Sequence, residues 1–262
     1  MFEKTKTFIL DTLFPISCVS CQKEGIWLCD SCLDKIETLS SQVCPYCEKN
    51  TTERGEVCPT CKNIFLGKNK TLPLDGLISS TSYNVGNISR LVHLFKYNFV
   101  SNIHIPLGKI LIAAILKNNL PIPDLIVPVP LHPRRLRWRG FNQAELLANY
   151  VSQNLTPGFA IPACPNLLIR KRYTVPQMKI KNYAERKTNI ANAFSLNYLK
   201  HPNHSGAHSK IRVVFEGKTI LLIDDICTTG STLFECGKIL KLAGAKKVLA
   251  TVIARQEAEK KK

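Results

Sequence analysis

Residues 220 to 232 read ILLIDDICTTGST, and no other stretch limits the fold as tightly. Ile220, Leu221, Leu222 and Ile223 carry no alternating polar residue, the pattern of a strand covered on both faces. Such strands belong to parallel sheets flanked by helices, which bind ligands at the carboxyl ends of their strands. Asp224 and Asp225 are expected at that end. Thr228, Thr229, Gly230, Ser231 and Thr232 follow, then LFECGKILKLAG. That last stretch predicts a helix with Leu233, Cys236 and Leu240 on one face and Gly244 at its C-terminal cap. A loop of small residues at a helix start offers hydroxyls and backbone N–H groups to an anion. The carboxylates suit the hydroxyls of a sugar. Together the two halves suit a phosphorylated ribose.

The rest of the chain past residue 75 alternates strand and helix signals. GLISSTSYN reads as a strand and ISRLVHLFKY as a helix, with His93 a packed or surface residue and not a ligand. DLIVPVPLH is a second buried strand that begins at Asp124. PRRLRWRGFNQAELLANYV predicts an Arg-rich loop running into a helix with Phe141, Ala144, Leu147 and Val151 on one face. LLIRKRYTVPQMKIKNYAERKTNIANAF starts as a short strand, becomes a long basic segment and ends near another short strand. HPNHSGAHSK reads as a polar surface loop and not a metal site. EGKT at 216 to 219 is no P-loop, because Arg212 stands where the earlier glycine belongs and the strand comes after it. Cys164, Cys227 and Cys236 read as packing residues. The expected fold class is α/β with a parallel sheet.

Eight of the eleven cysteines fall before residue 62, as Cys18-x2-Cys21, Cys29-x2-Cys32, Cys44-x2-Cys47 and Cys58-x2-Cys61. Four CxxC pairs supply ligands for two tetrahedral four-thiolate zinc sites, closed and structural. The pairing is sequential in the simplest arrangement, with an interleaved cross-brace as the other. So small a module needs such staples to fold. With two four-thiolate zincs it would be acidic by about four charges, which favours docking over direct DNA contact. A secreted disulfide framework is the competing explanation. Asp11 interrupts the apolar run near the N-terminus and no small-residue cleavage site follows, so a reducing, cytoplasmic setting is expected. No stretch approaches the ~18 apolar residues of a membrane span.

The net charge is +17. Residues 1 to 70 hold nine Lys/Arg and nine Asp/Glu, so the whole excess lies beyond them. Residues 134 to 187 carry eleven basic side chains against Glu145 and Glu185. That concentration points to a polyanion or a multiply charged phosphate ligand. Arg137, Trp138, Arg139, Lys171, Arg172, Lys179 and Lys181 are the nucleic-acid candidates, since single strands favour cations interleaved with aromatics. Tyr173 and Tyr183 lie in the same stretch. Trp138 reads equally as core or as a stacking residue, and Phe141 as core.

ILLIDDICTTGST resembles the phosphoribosyl-pyrophosphate (PRPP) signature of type I phosphoribosyltransferases. The chain also resembles the ComF family of bacterial competence proteins, collinearly over nearly its full length. The matching stretches are LFPISCVSCQKEGIWLCDSC, VPVPLHPRRLRWRGFNQAELLA, RKRYTVPQMKIKNYAERKTNIANAF and the PRPP-type signature. The resemblance implies a double zinc ribbon over 1–66, a connector over 67–75 and a parallel-sheet phosphoribosyltransferase-like domain over 76–262. It implies two structural Zn2+ ions, Mg2+ accompanying PRPP in an active enzyme, and a role with single-stranded DNA in transformation, with a competence helicase as a further partner. Asp224 and Asp225 would hold ribose hydroxyls, and Thr228 through Thr232 the 5′-phosphate of PRPP or another 5′-phosphorylated ligand. Segment 171–187, with Gln177 and Arg186, would match the loop that closes over the site. Pro128, Pro130 and Pro133 have no N–H to offer pyrophosphate, so Arg134 and Arg135 are candidates to contact it instead.

Overall fold

The computed structural model describes residues 16–175, 183–197 and 215–256. Helix α1 (Asp30–Leu33), strands β1 (Gln42–Val43) and β2 (Thr51–Thr52) and helix α2 (Pro59–Leu66) build the cysteine-rich part. Strand β3 (Gly76–Ser82), helices α3 (Ile88–Tyr97) and α4 (His104–Lys117), strand β4 (Leu125–Pro128) and helices α5 (Pro133–Arg139) and α6 (Gln143–Asn154) follow. The chain continues through β5 (Leu168–Arg170), α7 (Tyr183–Ile190), β6 (Phe194–Leu196), β7 (Thr219–Cys227), α8 (Ser231–Leu242) and β8 (Lys247–Arg255).

Strands β3, β8, β7 and β4 lie side by side in that order, all parallel. The unbroken apolar run of β7 serves two cores at once. Leu221 and Ile223 pack with Leu91, Phe95, Leu107 and Leu147 on one face, while Ile220 and Leu222 pack with Leu233, Cys236 and Leu240 on the other. Helices thus cover both faces, as a parallel sheet requires. The short antiparallel pair β5–β6 adds Leu168, Phe194 and Leu196 to the second core. Cys227 and Cys236 are buried there and Cys164 packs against it, while His93 is exposed.

Three expectations are corrected. Strand β7 does not stop before its acids: Asp224 pairs with Val252, Ile226 with Ala254 and Cys227 with Arg255, so both aspartates lie inside the strand. The Arg-rich stretch after β4 is helix, not loop. Pro133 sits in its first turn, the His132 side chain accepts from Arg134 N at 3.2 Å, and Gly140 ends it at φ 78°. Phe141 precedes α6 and packs 5.6 Å from Phe95 instead of lying on the helix face. HPNHSGAHSK lies outside the described residues.

Both sheet edges are covered. Along β3 the Gln42 side chain acts as a surrogate peptide: its Nε2 donates to Ser79 O at 3.1 Å and its Oε1 accepts from Ser79 N at 3.0 Å. Leu39 N donates to Ser80 O at 2.9 Å, and Glu56 bridges Gly76. At the other edge Ile126 bridges Ala163. The cysteine-rich part is therefore docked on the sheet. Tyr46 strengthens the join, donating to Leu74 O and accepting from Leu74 N, each at 3.0 Å, and stacking on Phe234 at 4.8 Å. Glu48 pairs with Arg255 at 2.7 Å. Among the described residues no helix is long and apolar enough to cross a membrane.

Candidate functional site

The eight N-terminal cysteines form two groups, Cys18, Cys21, Cys29, Cys32 and Cys44, Cys47, Cys58, Cys61, with all sulfurs of a group within 4.8 Å of one another. The sequential pairing holds and the cross-brace does not. All eight are free thiols, which removes the disulfide framework. The sulfurs fit zinc in spacing: Cys21 to Cys29 is 3.6 Å and Cys47 to Cys58 is 3.8 Å. A Zn–S bond of about 2.3 Å gives a tetrahedron with an edge of about 3.8 Å. Outer contacts fit as well, with Asn50 Nδ2 donating to Cys58 Sγ at 3.3 Å and Cys58 N to Cys44 Sγ at 3.4 Å. The Cys61 backbone N–H is the main cause that holds the Cys58 thiol down at about 6, favouring its thiolate. Two four-cysteine clusters consistent with two zinc sites are present.

A second site opens at the carboxyl ends of β4 and β7, a cleft of about 140 Å³. Asp224 and Asp225 reach it from β7, and Ser231, Thr232 and Leu233 from the first turn of α8. Gly230 caps that helix at φ 71° without a side chain, and a Cβ there would stand 2.9 Å from the Phe234 ring. Thr229 and Ser231 share a hydroxyl hydrogen bond of 2.8 Å. The opposite wall belongs to α6. Asn142 caps it, accepting from Ala144 N at 3.2 Å while donating to Val129 O at 3.1 Å. Gln143, 1% exposed, donates to Phe95 O and accepts from Arg139 Nη1, so it ties the ends of α3 and α5 together.

Four cations line the cleft: Lys96, Arg135, Arg139 and Arg170. Lys96 Nζ pairs with Asp225 Oδ1 at 2.9 Å. Burial first, and the like charge of Asp225 second, push Asp224 up to about 7. Arg170 is buried, and desolvation followed by repulsion from Arg135 brings it down to about 10. Arg170 donates to Thr174 Oγ1, and Arg135 donates to Thr174 O at 2.8 Å. The side-chain Nε atoms of Arg139 and Arg170 are buried with no partner among the described residues. These are donors held ready for an anion.

The predicted residues divide clearly. Asp224, Asp225, Thr228, Gly230, Ser231 and Thr232 come together at the cleft, with Thr229 buried beside it. Of the two pyrophosphate candidates only Arg135 lines it; the Arg134 guanidinium lies 5.0 Å over Tyr173. Arg137 is exposed, Trp138 is 58% exposed and so not core, and Arg139 turns into the cleft. Lys171 is exposed. Arg172 donates to Asn189 O and Ala191 O, each at 2.8 Å, pinning the base of segment 171–187. Gln177, Lys179 and Lys181 lie outside the described residues. Lys96, Asn142, Gln143 and Arg170 were not singled out from sequence. For Arg170 the signal was present, a charge closing the apolar run LLIR; Lys96 offers none, because its partner is far away along the chain.

Residues 9–62 match the double zinc ribbon domain and residues 174–262 the phosphoribosyl transferase domain. Competence protein F of Haemophilus influenzae is 29% identical over 252 residues, covering 92% of this chain and 98% of its own. The chain is thus similar, over nearly its whole length, to competence proteins of the ComF type. Other relatives at ComF-like coverage are DNA utilization protein YhgH of Salmonella typhi, 29% identical over 81% of this chain and 90% of its own, and Competence protein ComFC of Bacillus subtilis, 23% identical over 81% and 77%. Among solved structures, the allosteric regulatory enzyme of purine biosynthesis aligns with 58% of this chain and 26% of its own at 20% identity. Its TM-score of 0.34 is too loose to add to the ComF matches.

Proposed function

We propose that this protein handles incoming single-stranded DNA in the cytoplasm during natural transformation, gripping the strand on the basic face around α5 and holding a phosphoribosyl ligand in the adjoining cleft. One observation carries this reading. A single cleft joins two carboxylates from the last part of β7, a helix start and four cations, and its rim runs into exposed arginines and aromatics. The names of its relatives, Competence protein F and DNA utilization protein YhgH, support the nucleic-acid half.

In the cleft, Thr228 through Thr232 would receive the 5′-phosphate with Arg139 and Arg170 as side-chain donors. Asp224 would accept from a ribose hydroxyl, and Asp225 would do so by sharing its carboxylate with Lys96. Mg2+ arriving with PRPP would neutralise pyrophosphate charge, and the carboxylate oxygens here suit a hard cation's surroundings. The matched phosphoribosyl transferase domain favours a second reading, an Mg-dependent enzyme that transfers phosphoribosyl from PRPP to a small nucleobase or amine. Arg135 and Arg139 would then stabilise the leaving pyrophosphate.

Anisotropy of a labelled single-stranded oligonucleotide, at two salt concentrations with and without Mg-PRPP, separates the readings. The first expects salt-sensitive binding, displaced by PRPP if Arg139 serves both ligands. The second expects pyrophosphate release, abolished by Asp224→Ala with oligonucleotide affinity intact. No binding at physiological salt rejects the DNA-handling proposal.

A further inference from the structure

Three aromatic side chains from two separate parts of the chain meet at the rim of the cleft. Tyr97 ends α3, Phe99 follows it, and Trp138 belongs to α5. The Phe99 ring meets Trp138 edge-on at 5.4 Å, and Tyr97 lies 6.3 Å from the same indole. All three are exposed, by 36%, 43% and 58% respectively. Contiguous apolar surface of this kind marks a place of contact. Phe99 also sits at φ 59°, in the left-handed region that bulky residues avoid. Backbone strain of that sort persists where the surroundings over-determine it, and it clusters at binding sites. Here it accompanies a ring that remains in solvent.

The surrounding chemistry identifies the occupant. Four of the seven residues of α5 are arginines. The Arg139 guanidinium lies 5.6 Å over Tyr97 and 5.9 Å over Trp138. Arg134 and Arg137 stand on exposed positions of the same helix as Trp138. Arginines and aromatic rings also populate protein interfaces, but four guanidinium groups on one short helix with no acidic residue among them call for a polyanion. Rings interleaved with guanidinium groups match the alternation of base and phosphate along a single strand. Neither Phe141 nor Tyr173 serves this role: Phe141 is packed on the core, and Tyr173 lies beneath Arg134 and Arg135.

We infer that Tyr97, Phe99 and Trp138 form a base-stacking platform for single-stranded nucleic acid at the mouth of the cleft. This rests on the DNA-handling function proposed above and adds how the bases are held. Because Tyr97 and Arg139 also line the cleft, the platform and the phosphoribosyl site share a wall.

The test compares an intact single-stranded oligonucleotide with an abasic one of equal length, by anisotropy, for wild type, Phe99→Gly and Trp138→Ala. Wild type is expected to bind the intact strand roughly 5- to 100-fold more tightly. Each variant should shrink that ratio toward one while its affinity for the abasic strand stays unchanged. Phe99→Gly should keep or raise the melting temperature, since glycine is at ease at positive φ, which separates a binding role from a packing role. Wild type binding both strands equally overturns the platform and leaves DNA handling on backbone contacts alone. A ratio that survives in both variants also overturns it, and binding of neither strand overturns the DNA-handling proposal as well.

Discussion

Asp224 and Asp225 are neighbours in sequence with different surroundings. Asp225 has Lys96 at 2.9 Å, while Asp224 is pushed up to about 7 by burial and by its neighbour's charge. A folded-state value above the unfolded 3.8 means that ionising Asp224 costs stability. The cost is absent below about pH 4, grows between about 4 and 7, and is complete above. Asp224→Asn keeps the oxygen that accepts from Asp225 N at 2.9 Å and removes the charge. It is expected to raise the melting temperature by about 2–4 °C at pH 8, on the order of 1 kcal/mol, and to leave it unchanged near pH 4. Calorimetry across that range checks the sign. The acids and small residues of this site were readable because they are consecutive. Lys96, Gln143 and Arg170 were not, because they are brought together by α3, α6 and β5, and no local pattern encodes that.

At the scale of elements, periodicity located α3, α6, α8 and the buried strands, since each has a one- or two-faced apolar pattern. It failed at α5, where PRRLRWR has no buried residue to mark a face and the helix rests on its Pro133 start and His132 cap. The Lys-rich connector also differs from its composition. Leu74 is fully buried, and Pro73 lies against α8 so closely that a Cβ on Gly237 would stand 2.3 Å from Pro73 O. The connector is a packed strap. Gly237→Ala must therefore push strap and helix apart, and we expect a loss of about 1–3 kcal/mol in urea unfolding. A loop that merely tethered two modules would show no change.

Across the whole molecule the charge is lopsided, balanced before residue 70 and strongly basic after it. That asymmetry predicts which mutations alter salt dependence. Each phosphate contact removed from a single strand lowers the slope of log K against log salt by about 0.7. Arg137→Ala, on exposed α5, should show that change; a charge reversal at Glu53, on the cysteine-rich side, should leave the slope near its wild-type value. Titration of one oligonucleotide at several salt concentrations reads both.

The contact between Gln42 and Ser79 has a consequence for handling the protein. That side chain blunts the open margin of β3, and it is positioned by a segment whose conformation depends on the Cys44–Cys61 cluster. An uncovered strand margin is a template for another chain. With zinc in that cluster, a chelator should therefore expose β3 and promote self-association through it, with light scattering rising before helical signal is lost. Chelators would act on this protein as precipitants.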